Sequence, residues 1–157
     1  MHKWHQASKK NVVIIMQTIK EIEEEIIKDF KLFSDWTQKY EYLIDLGKEL
    51  LPIKKEHKID ANLIKGCQSR VWLHANQKNG KIIFSADSDA IMTKGIIALL
   101  IRVLSEKKPE EIAGCNLSFI DEIGLKEQLS ATRANGLVSM IKQMKLYALV
   151  IKMKNEK

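Results

Sequence analysis

Residues 66–86 read GCQSRVWLHANQKNGKIIFSA, and this stretch decides the fold. Apolar and polar side chains alternate through residues 70–77, as they do in a strand with one covered face. Asn79-Gly80 then supplies two residues that tolerate positive φ, which is the signal for a two-residue hairpin turn. Residues 81–86 return as the partner strand. The stretch therefore predicts an antiparallel hairpin. Residues 66–69, which come before the first strand, lie at the end of the hairpin opposite the turn.

Two amphipathic helices are predicted ahead of the hairpin. Apolar side chains recur at helical spacing from Ile19 to Phe33, with glutamates between them. Ser34 or Asp35 then caps a second helix, which ends before Pro52. The residues that follow are highly charged and connect this helix to the hairpin without an obvious period.

The chain after the hairpin is predicted to be helical. Residues 87–89, Asp-Ser-Asp, place capping side chains at the start of a helix over residues 90–104, which is apolar almost all round and therefore belongs at the centre. Gly95 within it costs about 1 kcal/mol relative to alanine, which predicts close backbone packing against the sheet or a contact surface. Shorter helical pieces follow, and Ser130 or Thr132 caps a long final helix.

These elements predict an α+β protein with a small antiparallel sheet of about three strands packed on several helices. The third strand is a short one at Leu63-Ile64, which leads into residues 66–72. The chain of 157 residues has the size of one domain, and we expect that domain to span residues 16–157. Residues 1–15 share no period with the first helix, so we expect them to form a disordered N-terminal extension.

The composition excludes several classes of function. The chain is 45% hydrophobic and 29% charged, which is typical of a soluble globular protein, and no apolar run approaches the roughly 20 residues that span a bilayer. The formal charge is +6, but acidic and basic residues interleave and no nucleic-acid-binding module is recognisable. We therefore expect a cytoplasmic protein that binds neither membranes nor nucleic acid, and whose two cysteines remain thiols.

Cys67 is the candidate reactive residue. It follows the flexible Gly66 on a loop at a strand edge, and Lys65 and Arg70 flank it. Only the thiolate is a nucleophile, so nearby positive charge favours a reactive cysteine. A free cysteine is also commonly a small buried hydrophobe, and the residue types alone leave both interpretations open. Cys115 has no nucleophile-like neighbours and is either structural or a resolving thiol for Cys67.

Four ordered blocks of the sequence resemble the SufE family of cysteine desulfurase partners, which accept sulfur in iron-sulfur cluster assembly. They are Trp36 with Tyr40 and residues 43–47, residues 66–72, residues 87–89 with residues 94–100, and residues 133–137. The resemblance runs from about residue 18 to about residue 151. It implies a two-layer fold like that of SufE and of IscU-type scaffolds.

The resemblance also implies a function and the residues that carry it. Cys67 would accept sulfur as a persulfide from a SufS-type cysteine desulfurase and relay it to an iron-sulfur scaffold complex of the SufBCD type. Pyridoxal phosphate belongs to the desulfurase, so the protein would need no cofactor or metal of its own and would act as an accessory, as a monomer or weak homodimer. The other implied site residues are Gly66, Gln68 and Ser69 in the loop that carries the thiol, and Asp89, Arg133, Asn135 and Gly136 toward the partner.

Three other functions remain open in the sequence. A cluster scaffold of the IscU or NifU type needs about four protein ligands, and only one cysteine lies in the right region. A disulfide oxidoreductase using Cys67 and Cys115 would lack the closely spaced Cys-x-x-Cys pair. A binding module with both cysteines buried is the third. For Asp89 and Arg133, a helix N-terminal charge and a local ion pair are the structural alternatives to partner contact.

Overall fold

The computed structural model describes residues 17–156. The expected extension over residues 1–15 lies outside this range, and the expected domain over residues 16–157 stays a prediction. The α-helices within the described range are α1 (Ile19–Lys31), α2 (Trp36–Lys48), α3 (Ile91–Leu104), α4 (Pro109–Gly114), α5 (Phe119–Glu122), α6 (Leu125–Gln128) and α7 (Ala131–Asn155). The strands are β1 (Val71–Lys78) and β2 (Lys81–Ser88), and two short 3-10 turns, Lys55–His57 and Asp60–Asn62, precede them.

β1 and β2 form the antiparallel hairpin that the alternating pattern predicts. Lys78 pairs with Lys81 across the turn, where Asn79 and Gly80 adopt φ angles of 54° and 77°. A two-residue turn with positive φ at both positions matches the twist of the strands that it joins. The register of the whole hairpin therefore follows from these two residues.

Different elements cover the two faces of the hairpin. Val71 and Leu73 are buried in the core that the helices form. Successive side chains of a strand point to opposite faces, so Trp72 lies on the other face, where the Nζ atom of Lys58 is 4.7 Å from the centre of a ring. The segment with the 3-10 turns thus covers the outer face, and the helical layer lies on the inner face.

The expected third strand is wrong, because the sheet has two strands in the described range. Leu63 forms an isolated bridge to Trp72, and the amide of Ile64 donates to the carbonyl of Val71 at 2.8 Å. The pairing ends there because the chain turns at Gly66, which adopts a φ of 92°. A run of two residues before such a turn is too short to extend the ladder.

α3 is the central helix, as its composition predicts, and most of its side chains are buried. The expected side-chain cap is wrong: Ala90 is the N-cap residue and no side chain caps the helix. The carboxylate of Asp89 instead accepts from the amide of Arg70 at 3.1 Å, and Asp87 forms an ion pair with Lys58 at 2.9 Å. β2 continues through Ser88. Asp87 also pairs with the side chain of Lys94 of α3 at 3.3 Å, but neither carboxylate caps the backbone amides of the first turn.

Gly95 allows the backbones of α2 and α3 to touch. A methyl group on Gly95 would collide with the carbonyl oxygen of Leu43, and one on Gly47 would lie 2.9 Å from the backbone nitrogen of Gly95. Both obstacles are backbone atoms, which cannot rotate away. The predicted close packing is therefore present, but its partner is α2 and not the sheet.

Replacement of Gly95 by alanine is expected to destabilise the fold by about 1–3 kcal/mol, the range for overpacking a filled core. Alanine favours the helix by about 1 kcal/mol, but the collision with the α2 backbone outweighs this gain. Urea denaturation measures the difference in the free energy of unfolding. Gly114→Ala is the control, because a methyl group there meets no atom within 4 Å. Equal midpoints for both variants would show that the two helices are not in backbone contact.

Candidate functional site

The thiol loop, residues 65–70, is held at both ends. At its start, the positive φ of Gly66 turns the chain, and a methyl group on this residue would collide with the hydroxyl of Ser139 on α7. At its end, the hydroxyl of Ser88 donates to the carbonyl of Arg70 at 2.7 Å, while Asp89 binds the amide of the same residue. The loop is therefore pressed against α7 and tied to the end of β2.

The thiol of Cys67 points at α7. Its Sγ atom lies 3.6 Å from the carbonyl oxygen of Gly136, to which the thiol donates. A methyl group on Gly136 would be 3.5 Å from Sγ, which is ordinary van der Waals contact. Glycine at this position therefore leaves an open space directly beside the sulfur, and the side chain of Cys67 is half-buried.

That space is part of a small pocket of about 80 Å³. Its lining residues come from the thiol loop, from α3 and from the first turns of α7. They are Cys67, Gln68, Ser69, Thr93, Ser130, Thr132, Arg133, Gly136 and Met140. This volume exceeds the roughly 10–15 Å³ that one water molecule needs, so the pocket has room for a small group next to the thiol.

The structure brings four predicted site residues together with Cys67 in this pocket, namely Gln68, Ser69, Arg133 and Gly136. Asp89 and Asn135 are exposed and do not line it. Asp89 holds the loop through the backbone of Arg70, which is a structural role different from the expected helix N-terminal charge, and its contact with a partner stays a prediction.

Arg133 extends into solvent at the rim of the pocket. Its amide donates to the N-cap residue Ser130 at 3.2 Å, while its guanidinium forms no ion pair with any residue in the range 17–156. The alternative that this arginine serves a local ion pair therefore has no support within that range. Its charge is available to a group that enters the pocket.

Burial raises the pKa of the Cys67 thiol above its ordinary value. Partial desolvation penalises the charged thiolate more than the neutral thiol. The expectation that Lys65 and Arg70 favour the thiolate is wrong for the free protein, since both side chains are exposed and burial decides the direction of the shift.

Cys115 follows α4, is half-buried, and lies beside a later part of α7 than Cys67 does. Its thiol donates to the carbonyl of Ile112 at 3.2 Å, and its own carbonyl accepts from Lys145. Gly136, which contacts Cys67, lies nine residues before Lys145, or about 13 Å of helix rise. A disulfide requires Cα atoms within about 7 Å, so the arrangement argues against a bond between the two cysteines in this conformation.

Sequence reasoning missed Thr93 as a site residue. It lies in the first turn of α3, is buried, and lines the pocket. The available signal was a hydroxyl side chain inside an otherwise apolar run, and that signal does not say which way the side chain faces.

Metal ligands do not cluster in the part of the chain that the structure describes. Residues 17–156 contain no group of three or more histidine, cysteine, aspartate or glutamate side chains that could hold a metal ion. Among the helices in the same range, none has the length and apolar character needed to cross a membrane.

The fold is similar to that of a solved protein. The solution structure of a hypothetical protein from Thermus thermophilus matches with a TM-score of 0.69 at 19% sequence identity, covering 81% of this chain and 93% of that one. At this identity the match supports the α+β architecture alone.

Sequence comparison identifies the family. The SufE family model, described as an Fe-S metabolism associated domain, matches residues 24–148. A SufE-like protein of Synechocystis is 36% identical over 91% of this chain and 90% of its own length, and one of Rhizobium etli is 37% identical over 78% of this chain and 86% of its own. SufE-like protein 1 of Arabidopsis thaliana, named as chloroplastic/mitochondrial, is 37% identical over 85% of this chain and 36% of its own length. The chain therefore belongs to the SufE family, whose domain is associated with Fe-S metabolism.

Proposed function

We propose that this protein accepts sulfur as a persulfide on Cys67 from a SufS-type cysteine desulfurase, stimulates that enzyme, and relays the sulfur to a SufBCD-type scaffold complex. Membership of a family associated with Fe-S metabolism supports the setting. The observation that carries the proposal is the open space beside the Sγ atom of Cys67, in a pocket of about 80 Å³ with polar walls. The space suits one additional sulfur atom.

The transfer is an exchange between thiol groups. The thiolate of Cys67 attacks the outer sulfur of the persulfide on the donor cysteine, a new S–S bond forms, and the old S–S bond breaks. The donor cysteine leaves as a thiolate and takes up the proton that Cys67 lost. No net oxidation or reduction occurs, because the outer sulfur keeps its oxidation state as it moves from one cysteine to the other.

The walls of the pocket suit a persulfide anion. The guanidinium of Arg133 lies at the rim without an ion pair to a described residue, so it can offset negative charge on the outer sulfur. Thr93 and Ser69 supply hydroxyl groups, which are hydrogen-bond donors. The pocket thus favours the product of transfer, while the free thiol gains little from the same charges.

The raised pKa and the burial of Cys67 imply that the partner helps to expose the thiol. Burial of the thiol and its raised pKa favour the neutral form, and its Sγ atom contacts the carbonyl of Gly136 on α7. Attack on a donor persulfide therefore requires the loop to turn outward. Gly66 and the short hydrogen-bonded anchor at Arg70 are the two ends about which it would move.

The remaining expectations belong to the same proposal. Pyridoxal phosphate is the cofactor of the desulfurase, and we assign no cofactor to this chain. Cytoplasmic location and a monomeric or weakly dimeric state stay predictions, which cell fractionation and sedimentation would measure.

Cys67→Ser is expected to abolish sulfur acceptance, because the nucleophile is lost. With a desulfurase and cysteine, the wild-type protein should gain about 32 Da, the mass of one sulfur atom, on the peptide that contains Cys67. Cys115→Ser is the matched control and should retain the mass gain and the stimulation of the desulfurase. Equal loss in both variants would replace the single-acceptor mechanism with one that uses a pair of thiols.

Alkylation of Cys67 by iodoacetamide is expected to depend on pH in the direction that burial sets. A raised pKa moves thiolate formation to higher pH, so the rate should reach half its maximum at a higher pH in the folded protein than in the unfolded chain. The Cys115→Ser variant isolates the signal, and the same variant unfolded in urea provides the unperturbed profile. A folded-state midpoint at or below the unfolded one would contradict the buried position of the thiol.

A further inference from the structure

The last three turns of α7 carry an apolar stripe on their outer side. Leu146, Leu149, Val150 and Met153 are 51%, 44%, 42% and 56% exposed. Their spacing of i, i+3, i+4 and i+7 places them on one face of the helix, opposite the buried Ala148. Scattered exposed apolar side chains are ordinary, whereas several in one patch mark an interaction surface.

This apolar stripe lies mostly beyond the range that the family model matches. The SufE model matches residues 24–148, while α7 continues to Asn155. Leu149, Val150 and Met153 therefore lie outside the matched range, and the sulfur chemistry proposed at Cys67 does not require them.

A groove connects the apolar stripe to the thiol loop. It has a volume of about 340 Å³ and lies between residues 61–65 and α7, with Leu146 of the stripe in its wall. Ser139, against which Gly66 packs, lines the same groove. From Ser139 to Met153 the surface runs about 21 Å along the helix. A segment that lies on the stripe and in the groove would therefore end beside the loop that carries Cys67.

The charges around this surface are almost all positive. α7 contains no acidic residue over its 25 residues and five basic ones, of which Arg133 lines the pocket beside Cys67 and Lys145 binds the carbonyl of Cys115. Lys142 on the helix and Lys65 on the opposite wall both line the groove, and Asp60 lies just outside the lining residues. A surface of this kind is complementary to carboxylates.

The charge pattern also decides among possible occupants. A second copy packed through the same face would bring the lysines of two α7 helices together, which opposes association. Residues 1–16 of the chain contain three lysines and no acidic residue, so they are no better matched. The groove has two walls, and a flat lipid surface cannot enter it. An acidic segment of another protein satisfies both the shape and the charge.

We propose that the stripe and groove bind a carboxylate-rich amphipathic helix of the protein that exchanges sulfur with Cys67. The apolar side chains of that helix would cover Leu146, Leu149 and Val150, and its carboxylates would face Lys142 and Lys65. This is helix-in-groove recognition, in which anchors at helical spacing supply affinity. The inference rests on the proposed sulfur relay and adds the surface that brings the partner to the loop.

Transfer kinetics test the proposal, with the purified cysteine desulfurase as probe and the concentration of this protein varied. Lys142→Glu and the double variant Leu149→Ser/Val150→Ser should each raise the concentration for half-maximal transfer by about tenfold or more, the scale of a hot-spot loss. The maximal rate should stay within about twofold, because a lost docking contact weakens binding without altering the thiol. Added salt should raise the same concentration for the wild-type protein and less for Lys142→Glu.

Two surface variants control for charge and apolarity. Lys20→Glu changes an exposed lysine on α1, and Leu51→Ser changes an apolar side chain that is 79% exposed after α2. Both should transfer sulfur as the wild-type protein does. Far-ultraviolet circular dichroism of every variant shows whether the helices remain.

Several outcomes would overturn the inference. Unchanged half-maximal concentrations for the groove variants, with normal transfer by the wild-type protein, would remove the docking surface and leave the sulfur relay standing. Absence of transfer to the wild-type protein would remove the relay itself and this inference with it. A concentration-dependent dimer that Leu149→Ser/Val150→Ser abolishes would identify a second copy as the occupant. Co-sedimentation with phosphatidylserine vesicles that the same variant loses would identify a membrane.

Discussion

The contact between Gly66 and Ser139 is the constraint on which the site depends. A side chain at residue 66 would strain a positive φ and would displace the hydroxyl of Ser139 on α7, so glycine lets the thiol loop lie on that helix without strain. The next residue is then delivered to the carbonyl of Gly136. Without this close approach, Cys67 would have neither its pocket nor its burial.

Burial and reactivity oppose each other at Cys67. A sulfur acceptor must react with one donor and avoid oxidants and other thiols. The raised pKa and the contact with α7 lower the reactivity of the free thiol. Under the proposed function, the partner would supply the energy that exposes it. The ties at Arg70 are few and partly solvent-exposed, so such an opening disturbs little of the core. α3, in backbone contact with α2 through Gly95, supplies the rigid base from which Thr93 faces the pocket.

α7 joins the separate parts of this picture. Its first turns line the pocket, its middle supports the thiol loop, and its end carries the apolar stripe. One face of the helix is buried against the core throughout, at Leu137, Met144 and Ala148. Because a helix is stiff, a partner bound along its outer face would be held at a fixed distance and orientation from Cys67. Docking and chemistry would then share one structural element.

Much of the fold was predictable because its signals are local. Asn79-Gly80 sets the turn, the alternation of side chains sets the inner face, and the apolar run that became α3 could only be central. The predictions that failed concerned the surroundings of a residue. Leu63 is a residue type that strands accept, but the turn at Gly66 follows too closely for the pairing to extend beyond an isolated bridge. Asp89 lies where a capping residue is expected, but its carboxylate accepts a hydrogen bond from the amide of Arg70 instead.

The sequence by itself determined the α+β class, the hairpin and the choice of Cys67 as the candidate reactive residue, since these follow from spacing, turn chemistry and the blocks that resemble the SufE family. Only the tertiary structure decided how far the thiol is buried, which residues share its pocket, and where a groove runs along α7 beside the thiol loop. Burial of a side chain and the shape of a pocket depend on contacts between segments that are distant in the chain, such as the contact of Cys67 with Gly136. The spacing of residues along the chain does not reveal these contacts.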